Sequence, residues 1–268
     1  MINGLHIAIP TPGEIRIETA MSVGAVVSDL ARQKIRHTMS YFSSADIVYS
    51  RNRLAARFMA DKNYSHMLFV DGDMGFAVKE LKAMLEMNAP FVACDYPMRE
   101  MDVEAFRKAV EADAELPADQ RSTTAQLLSR QSSFTFRRHG FDGKPWPFAV
   151  NGPFVSVPAV GLGLALIRRE VFETMIEKGC VDPITPEPPN YPERSSFGYF
   201  DRVRDVSGKW MSEDISFCRR WIEDCGGRIW VRQDAPMTHI GAFRFEGRLQ
   251  DYLESQIRPG QAGPNGAG

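Results

Sequence analysis

The chain has 268 residues, 44% hydrophobic and 25% charged, with a formal net charge of −2. That length is enough to bury a full core as one large domain, and the composition is ordinary for a globular protein. The near-zero charge gives no electrostatic footprint for nucleic acid, and the basic run Arg137-Arg138-His139 is short enough to be a solvated strand end.

Residues 5–9 read as a short buried strand that starts almost at once, so no signal peptide is expected. It breaks at Pro10-Thr11-Pro12-Gly13. A helix follows over 18–34 and a second strand over 37–42. Leu54, Ala55, Phe58 and Met59 recur at helical spacing and predict a helix over 48–61. His66-Met67-Leu68-Phe69-Val70 is a largely apolar third strand that runs straight into Asp71-Gly72-Asp73. Val78, Leu81 and Leu85 mark an amphipathic helix, and residues 90–94 a fourth strand. The charged, Ala-rich segment 101–131, broken at Leu116-Pro117, reads as a helical insertion within a single domain spanning 1–257.

Strand chemistry returns at 133–137 and 154–166. Residues 170–178 predict a helix stopped by Gly179, and 181–204, rich in Pro and aromatic residues, a surface loop. A helix is expected over 212–225, with Ser212 as N-cap, Ile215, Cys218, Trp221, Ile222 and Cys225 turned inward, and Gly226-Gly227 at its end. Residues 228–231 are a last strand. From 258 onward the chain has nothing to bury, and a disordered tail is expected. Alternating strand and helix signals predict an α/β layer fold. No apolar run approaches the roughly 18 residues of a membrane span. Cys94, Cys180, Cys218 and Cys225 form no CxxC pair, which fits a reducing, cytoplasmic setting.

In an open α/β sheet ligands bind beyond the carboxyl ends of the strands. Two aspartates placed there around a glycine can turn toward one cation, and magnesium or manganese typically takes one or two carboxylates together with substrate phosphates. An Asp-Gly turn that merely ends a strand is the plain alternative. An EF-hand does not fit, because its glycine and glutamate positions hold Phe76 and Lys82. A haloacid-dehalogenase-like phosphatase also places Asp-x-Asp after an apolar strand, but usually nearer the N-terminus and with Thr or Val where this chain has Gly75.

Five stretches in order resemble the GT-A glycosyltransferase superfamily, especially its bacterial and Anp1-like mannosyltransferase-type members. They are the strand ending in Ile9-Pro10-Thr11, Ser50-Arg51-Asn52 with Leu54, and Leu68-Phe69-Val70-Asp71-Gly72-Asp73 as a DXD motif. Val160-Gly161-Leu162-Gly163-Leu164 and Ser212-Glu213-Asp214-Ile215, the latter followed by Thr238-His239-Ile240-Gly241, complete them. Together they cover about residues 5–98 and 153–243.

The resemblance implies a GT-A, Rossmann-like mixed sheet flanked by helices and a hexosyltransferase using a UDP- or GDP-sugar, a carbohydrate or other hydroxyl acceptor, and Mn2+ or Mg2+. It implies Asp73 and His239 as metal ligands, with Asp71 on the metal shell or the ribose. Thr11, Arg51, Gly161 and Gly163 would lie along the donor, and Trp210 and Glu213 along the acceptor. In inverting relatives an aspartate at Asp214 is the base, while in retaining ones the region only binds sugar hydroxyls. A sugar-phosphate nucleotidyltransferase would share the architecture, but Pro10-Thr11-Pro12-Gly13 lacks its glycine- and arginine-rich loop. An inactive carbohydrate-binding relative is the non-enzyme alternative, against which intact Asp73 and His239 argue.

Overall fold

The structure is a computed structural model that describes residues 2–184, 196–241 and 244–257. In chain order it comprises β1 (Leu5–Thr11), α1 (Ile17–Arg32), β2 (His37–Ser43), α2 (Ile47–Ala60), β3 (His66–Val70), β4 (Met74–Gly75) and α3 (Val78–Met87). Next come β5 (Phe91–Cys94), α4 (Val103–Ala114), α5 (Thr124–Gln131), β6 (Val150–Asn151), β7 (Phe154–Val157), β8 (Leu164–Arg168) and α6 (Arg169–Glu177). The chain closes with α7 (Glu213–Arg219), β9 (Ile229–Arg232), β10 (Met237–Ile240), β11 (Arg244–Gly247) and α8 (Leu249–Ile257).

Eight strands form one sheet in the order β2-β1-β3-β8-β5-β9-β7-β6, and β11-β10-β4 form a small second one. This is the mixed, helix-flanked sheet expected of a GT-A-like fold. β1 pairs in parallel with β2 and β3, and β5 with β9, while β8 runs antiparallel to both β3 and β5. The carboxyl ends of β1, β3, β5 and β9 therefore open on one edge, where β8 begins. That edge collects the turn after β1, the Asp71-Gly72-Asp73 turn, the loop after β5 and the glycines before β8.

Burial explains the continuous apolar run of β3. Met67 and Phe69 enter one core cluster, and Leu68 and Val70 the cluster on the other face. α2 starts at Asp46, whose side chain accepts from Val48 N at 2.9 Å and from Tyr49 N. Its last carbonyls are closed by Arg169, which donates to Phe58 O at 2.7 Å and to Met59 O. Both ends of the helix that carries Arg51 are thereby fixed.

Several expectations are corrected. Residues 133–137 form no ladder: Phe134 and Phe136 are buried, but the buried Asp95 carboxylate accepts from Thr135 N at 3.1 Å and Phe136 N at 3.3 Å. Residues 154–166 divide into β7 and β8, with the intervening turn at the cleft edge. The helix after Ser212 is α-helical only through α7 and continues as a π-helical turn over Arg220–Asp224. Ser212 occupies the N-cap position without a side-chain cap bond, because its hydroxyl donates to Asp214 Oδ1 instead.

Beyond the expected last strand at 228–231 lies a further one, β10, which carries His239. β11 and α8 were not foreseen. The 101–131 segment carries α4 and α5, and the Leu116-Pro117 break falls between them. Part of the expected 181–204 loop and all of the expected 258–268 tail lie outside the described residues. No helix among the described residues is long and apolar enough to cross a membrane.

Candidate active site

α2 delivers Arg51 beneath the end of β3. Its side chain is 2% exposed, and Nη2 lies 2.9 and 3.1 Å from the two oxygens of Asp71. Nε reaches Glu213 at 3.4 Å, and the guanidinium lies over the Phe69 ring. Arg51 thus joins the strand end to the first turn of α7. Burial pushes the Asp71 carboxyl up, more than the Arg51 charge pulls it down, and Asp73 and Glu213 push the same way. Both Asp71 oxygens lie within hydrogen-bond distance of Arg51, which fixes the orientation of the carboxylate at the strand end.

Asp73 faces a different set of groups. Its Oδ2 lies 3.0 Å from Arg99 Nη1 and 3.4 Å from His239 Nε2. The strand pairing His239↔Met74 and Thr238↔Gly75 brings these distant residues together, and Asp73 O accepts from Ile240 N at 2.9 Å. Partial burial works to raise the Asp73 carboxyl, but the His239 hydrogen bond and charge and the Arg99 charge outweigh it, and the group is held below the usual carboxylate range.

His239 Nδ1 lies 2.9 Å from Pro97 O. A carbonyl only accepts, so Nδ1 is a donor here, and Nε2 is the nitrogen that faces Asp73. That orientation, with the far nitrogen tied to a backbone carbonyl, is typical of imidazole arranged as a metal ligand. No group of three or more His, Cys, Asp or Glu side chains suited to a metal forms among the described residues. The side chains that could hold a divalent ion here are Asp73 and His239, and such an ion would take the rest of its shell from phosphate oxygens and water.

A cleft of about 270 Å³ opens over this turn, lined by Pro10, Pro12, Glu14, Arg16, Ile47, Asp71, Gly72, Asp73, Arg99 and Ile240. Thr11 sits at its root rather than on its wall: the hydroxyl donates to Glu14 O and accepts from Gly13 N at 3.1 Å, shaping the loop. Gly72 lets that loop approach, since a Cβ there would lie 3.2 Å from Glu14 O. A Cβ on Gly161 or Gly163 would collide with Tyr96, at 2.4 and 2.6 Å. Both glycines accommodate that buried phenol, whose oxygen accepts from Gly163 N at 3.1 Å.

Asp214 is half-buried, and its described hydrogen bonds, from Ser212 Oγ and from Ile215 N at 2.7 Å, fall on Oδ1. A helix start by itself lowers a carboxyl, yet the opposite holds here. Desolvation and then the Glu213 charge raise it, against Ser212 and Arg51. Trp210 is 56% exposed, with the Arg204 guanidinium over its ring at 4.2 Å. It lines a hollow of about 700 Å³ with residues 45–48, Asp201 and Arg202. Ile47 borders both this hollow and the cleft.

Arg99, Arg16, Tyr96 and Asp95 escaped the sequence reading. For Arg99, Tyr96 and Asp95 the available signal was position, because the loop after β5 leaves the sheet on the same edge as the Asp71 turn. The Asp95 carboxyl is raised to about 6 by burial, against the hydrogen bonds it accepts from Thr135, Tyr96 N and Phe136 N.

No protein-family model matches the sequence, and no curated protein matches it. Among solved structures the chain is similar to A197 from STIV, with 15% identity, 88% of this chain and 85% of that one covered, and a TM-score of 0.44. It is also similar to a mutant of Drosophila β1,4-galactosyltransferase 7 in complex with manganese, UDP-Gal and xylobiose: 14% identity, 97% and 77% covered, TM-score 0.36. Mouse xyloside xylosyltransferase 1 in its apo form matches at 12% identity, 93% and 80% covered, TM-score 0.25. At these scores the likenesses decide nothing about activity, and the functional reading rests on the geometry of the site.

Proposed function

We propose that the chain is a divalent-cation-dependent glycosyltransferase of the GT-A kind, moving a sugar from a nucleoside-diphosphate sugar to an acceptor hydroxyl. What carries the reading is the Asp73–His239 pair, 3.4 Å apart at the carboxyl end of β3, with Asp73 lining a cleft that also exposes Arg16 and Arg99. Asp73 and His239 would hold manganese or magnesium, which when bound supplies positive charge to a leaving diphosphate. Arg51 holds Asp71 in one orientation and leaves Asp73 to face the cleft. Arg16 and Arg99 offer guanidinium groups that suit phosphate oxygens. Trp210 offers an exposed indole in the hollow beside Ile47, where an acceptor sugar can stack.

In transfer, the acceptor oxygen bonds to the anomeric carbon as the bond from that carbon to the diphosphate breaks. If the stereochemistry inverts, the hydroxyl proton passes to Asp214, which burial and the Glu213 charge make a stronger base than an ordinary carboxylate. The test is a panel of UDP- and GDP-sugars assayed for donor cleavage with and without manganese. Metal-dependent release of UDP or GDP is expected, and no release from any member would end the reading.

A further inference from the structure

Arg99 stands where a metal-binding carboxylate should be open. Its Nη1 lies 3.0 Å from Asp73 Oδ2, the same oxygen that His239 Nε2 approaches at 3.4 Å, while its side chain is 53% exposed. An exposed ion pair of this kind is weak and exchangeable. Arg51 differs in both respects: it is 2% exposed, and its carboxylate partner is held by two contacts.

The arginine also has a prepared bed. A Cβ on Gly241 would lie 2.9 Å from Arg99 Cδ and 3.3 Å from Cγ, so the glycine two residues after His239 leaves room for the arginine stem. The loop that carries Arg99 is tied to the same histidine, through Pro97 O and His239 Nδ1 at 2.9 Å. The tip of Arg99 lines the cleft beside Arg16 and Asp73.

We infer that Arg99 is the exchangeable counter-ion of this site: its guanidinium holds Asp73 while the cleft is empty and passes to the donor diphosphate when a divalent cation takes the carboxylate. The inference rests on the proposed function. Two cations cannot share Asp73 Oδ2 at contact distance without mutual repulsion, and a guanidinium released into the cleft meets its preferred partner in a diphosphate. Arg99 therefore opposes metal binding to the empty protein and favours it once the nucleotide is present. The two ligands become positively coupled through one side chain.

The experiment measures manganese alone by electron paramagnetic resonance, and UDP and GDP in saturating manganese by calorimetry, for wild type, Arg99→Gln and Arg99→Lys. Arg99→Gln should bind manganese alone about two- to fivefold more tightly, as expected from loss of an exposed ion pair. It should bind the nucleotide about tenfold more weakly, as expected from loss of a charge-assisted contact. Arg99→Lys keeps the charge and should lie between the two in both arms. Gly241→Ala keeps the arginine but crowds its stem, and should raise manganese affinity in the same direction as Arg99→Gln. If wild type binds manganese and nucleotide while Arg99→Gln changes neither, or weakens both, the counter-ion role is refuted and the proposed function stands. If wild type binds no nucleotide with manganese, the proposed function fails and this inference fails with it.

Discussion

Replacing Arg51 by methionine keeps an apolar stem over Phe69 and removes the charge on which two carboxylates depend. In the native site Nη2 lies 2.9 and 3.1 Å from the Asp71 oxygens, and Nε 3.4 Å from Glu213. Breaking a buried ion pair by deleting one partner costs about 3–5 kcal/mol. Asp71 keeps 24% side-chain exposure, so the lower end, about 3 kcal/mol, is the expectation here. The loss should depend on pH. Burial already holds the folded Asp71 carboxyl above its ordinary value, and removing Arg51 raises it further. Such a group stabilises the fold below its unfolded pKa, and that contribution is lost as pH rises through the folded pKa. The deficit should therefore be largest at pH 8 and shrink toward pH 5, where proton uptake relieves the unpaired carboxylate. Urea denaturation at both pH values, read by linear extrapolation, measures it. Adding Asp71→Asn to Arg51→Met should recover part of the loss at pH 8. A deficit below about 1 kcal/mol at pH 8, or one equal at both pH values, would refute the reasoning.

Three further outcomes are expected. Asp95, raised to about 6, stabilises the fold below its unfolded pKa and loses that contribution as pH rises through 6; Asp95→Asn should therefore gain stability relative to wild type by about 2–3 kcal/mol between pH 4 and 7, as thermal unfolding would record. His6 is buried with no hydrogen-bond partner on either ring nitrogen among the described residues, and burial lowers it to about 4. It costs stability as pH falls from its unfolded value toward 4, so His6→Phe should flatten the acid limb and stabilise by about 1–2 kcal/mol at pH 7, as denaturant titration would show. Asp214→Asn should lower turnover by about 10²-fold or more while the donor still binds, if the product is inverted; undiminished transfer, or a product with the donor's anomeric configuration, removes Asp214 as the base.

The legible parts of this fold were those in which one physical signal dominates. β3 could be read because burial on both faces demands an unbroken apolar run, and the turn after it because two carboxylates there have no packing role. α1, α2, α3 and α6 kept their apolar spacing and appeared within a few residues of expectation. What escaped depended on partners distant in sequence. Residues 133–137 alternate like a strand, yet the carboxylate of Asp95 takes their amides. β4 has two residues and no pattern of its own, and only its pairing with β10 gives it meaning. In the site, Asp71 and Asp73 look equivalent in sequence, and the structure separates them: one is spent on Arg51, the other faces His239 and Arg99. Arg99 itself sits in a loop with no motif, and only the shared edge of β3 and β5 assigns it to the cleft. The raised carboxyl of Asp214 was hidden for a related reason. The helix start was visible in sequence, whereas the burial and the Glu213 charge that outweigh it were not.

The most direct test of the central claim is calorimetric binding of UDP and GDP to wild type, Asp73→Asn and His239→Ala, each with manganese and with the metal chelated. The claim predicts that wild type binds at least one nucleotide only with manganese, and that either substitution weakens this binding by about tenfold or more while the free protein still unfolds in one cooperative transition. Binding that is equally tight without metal, or undiminished in Asp73→Asn, would contradict it.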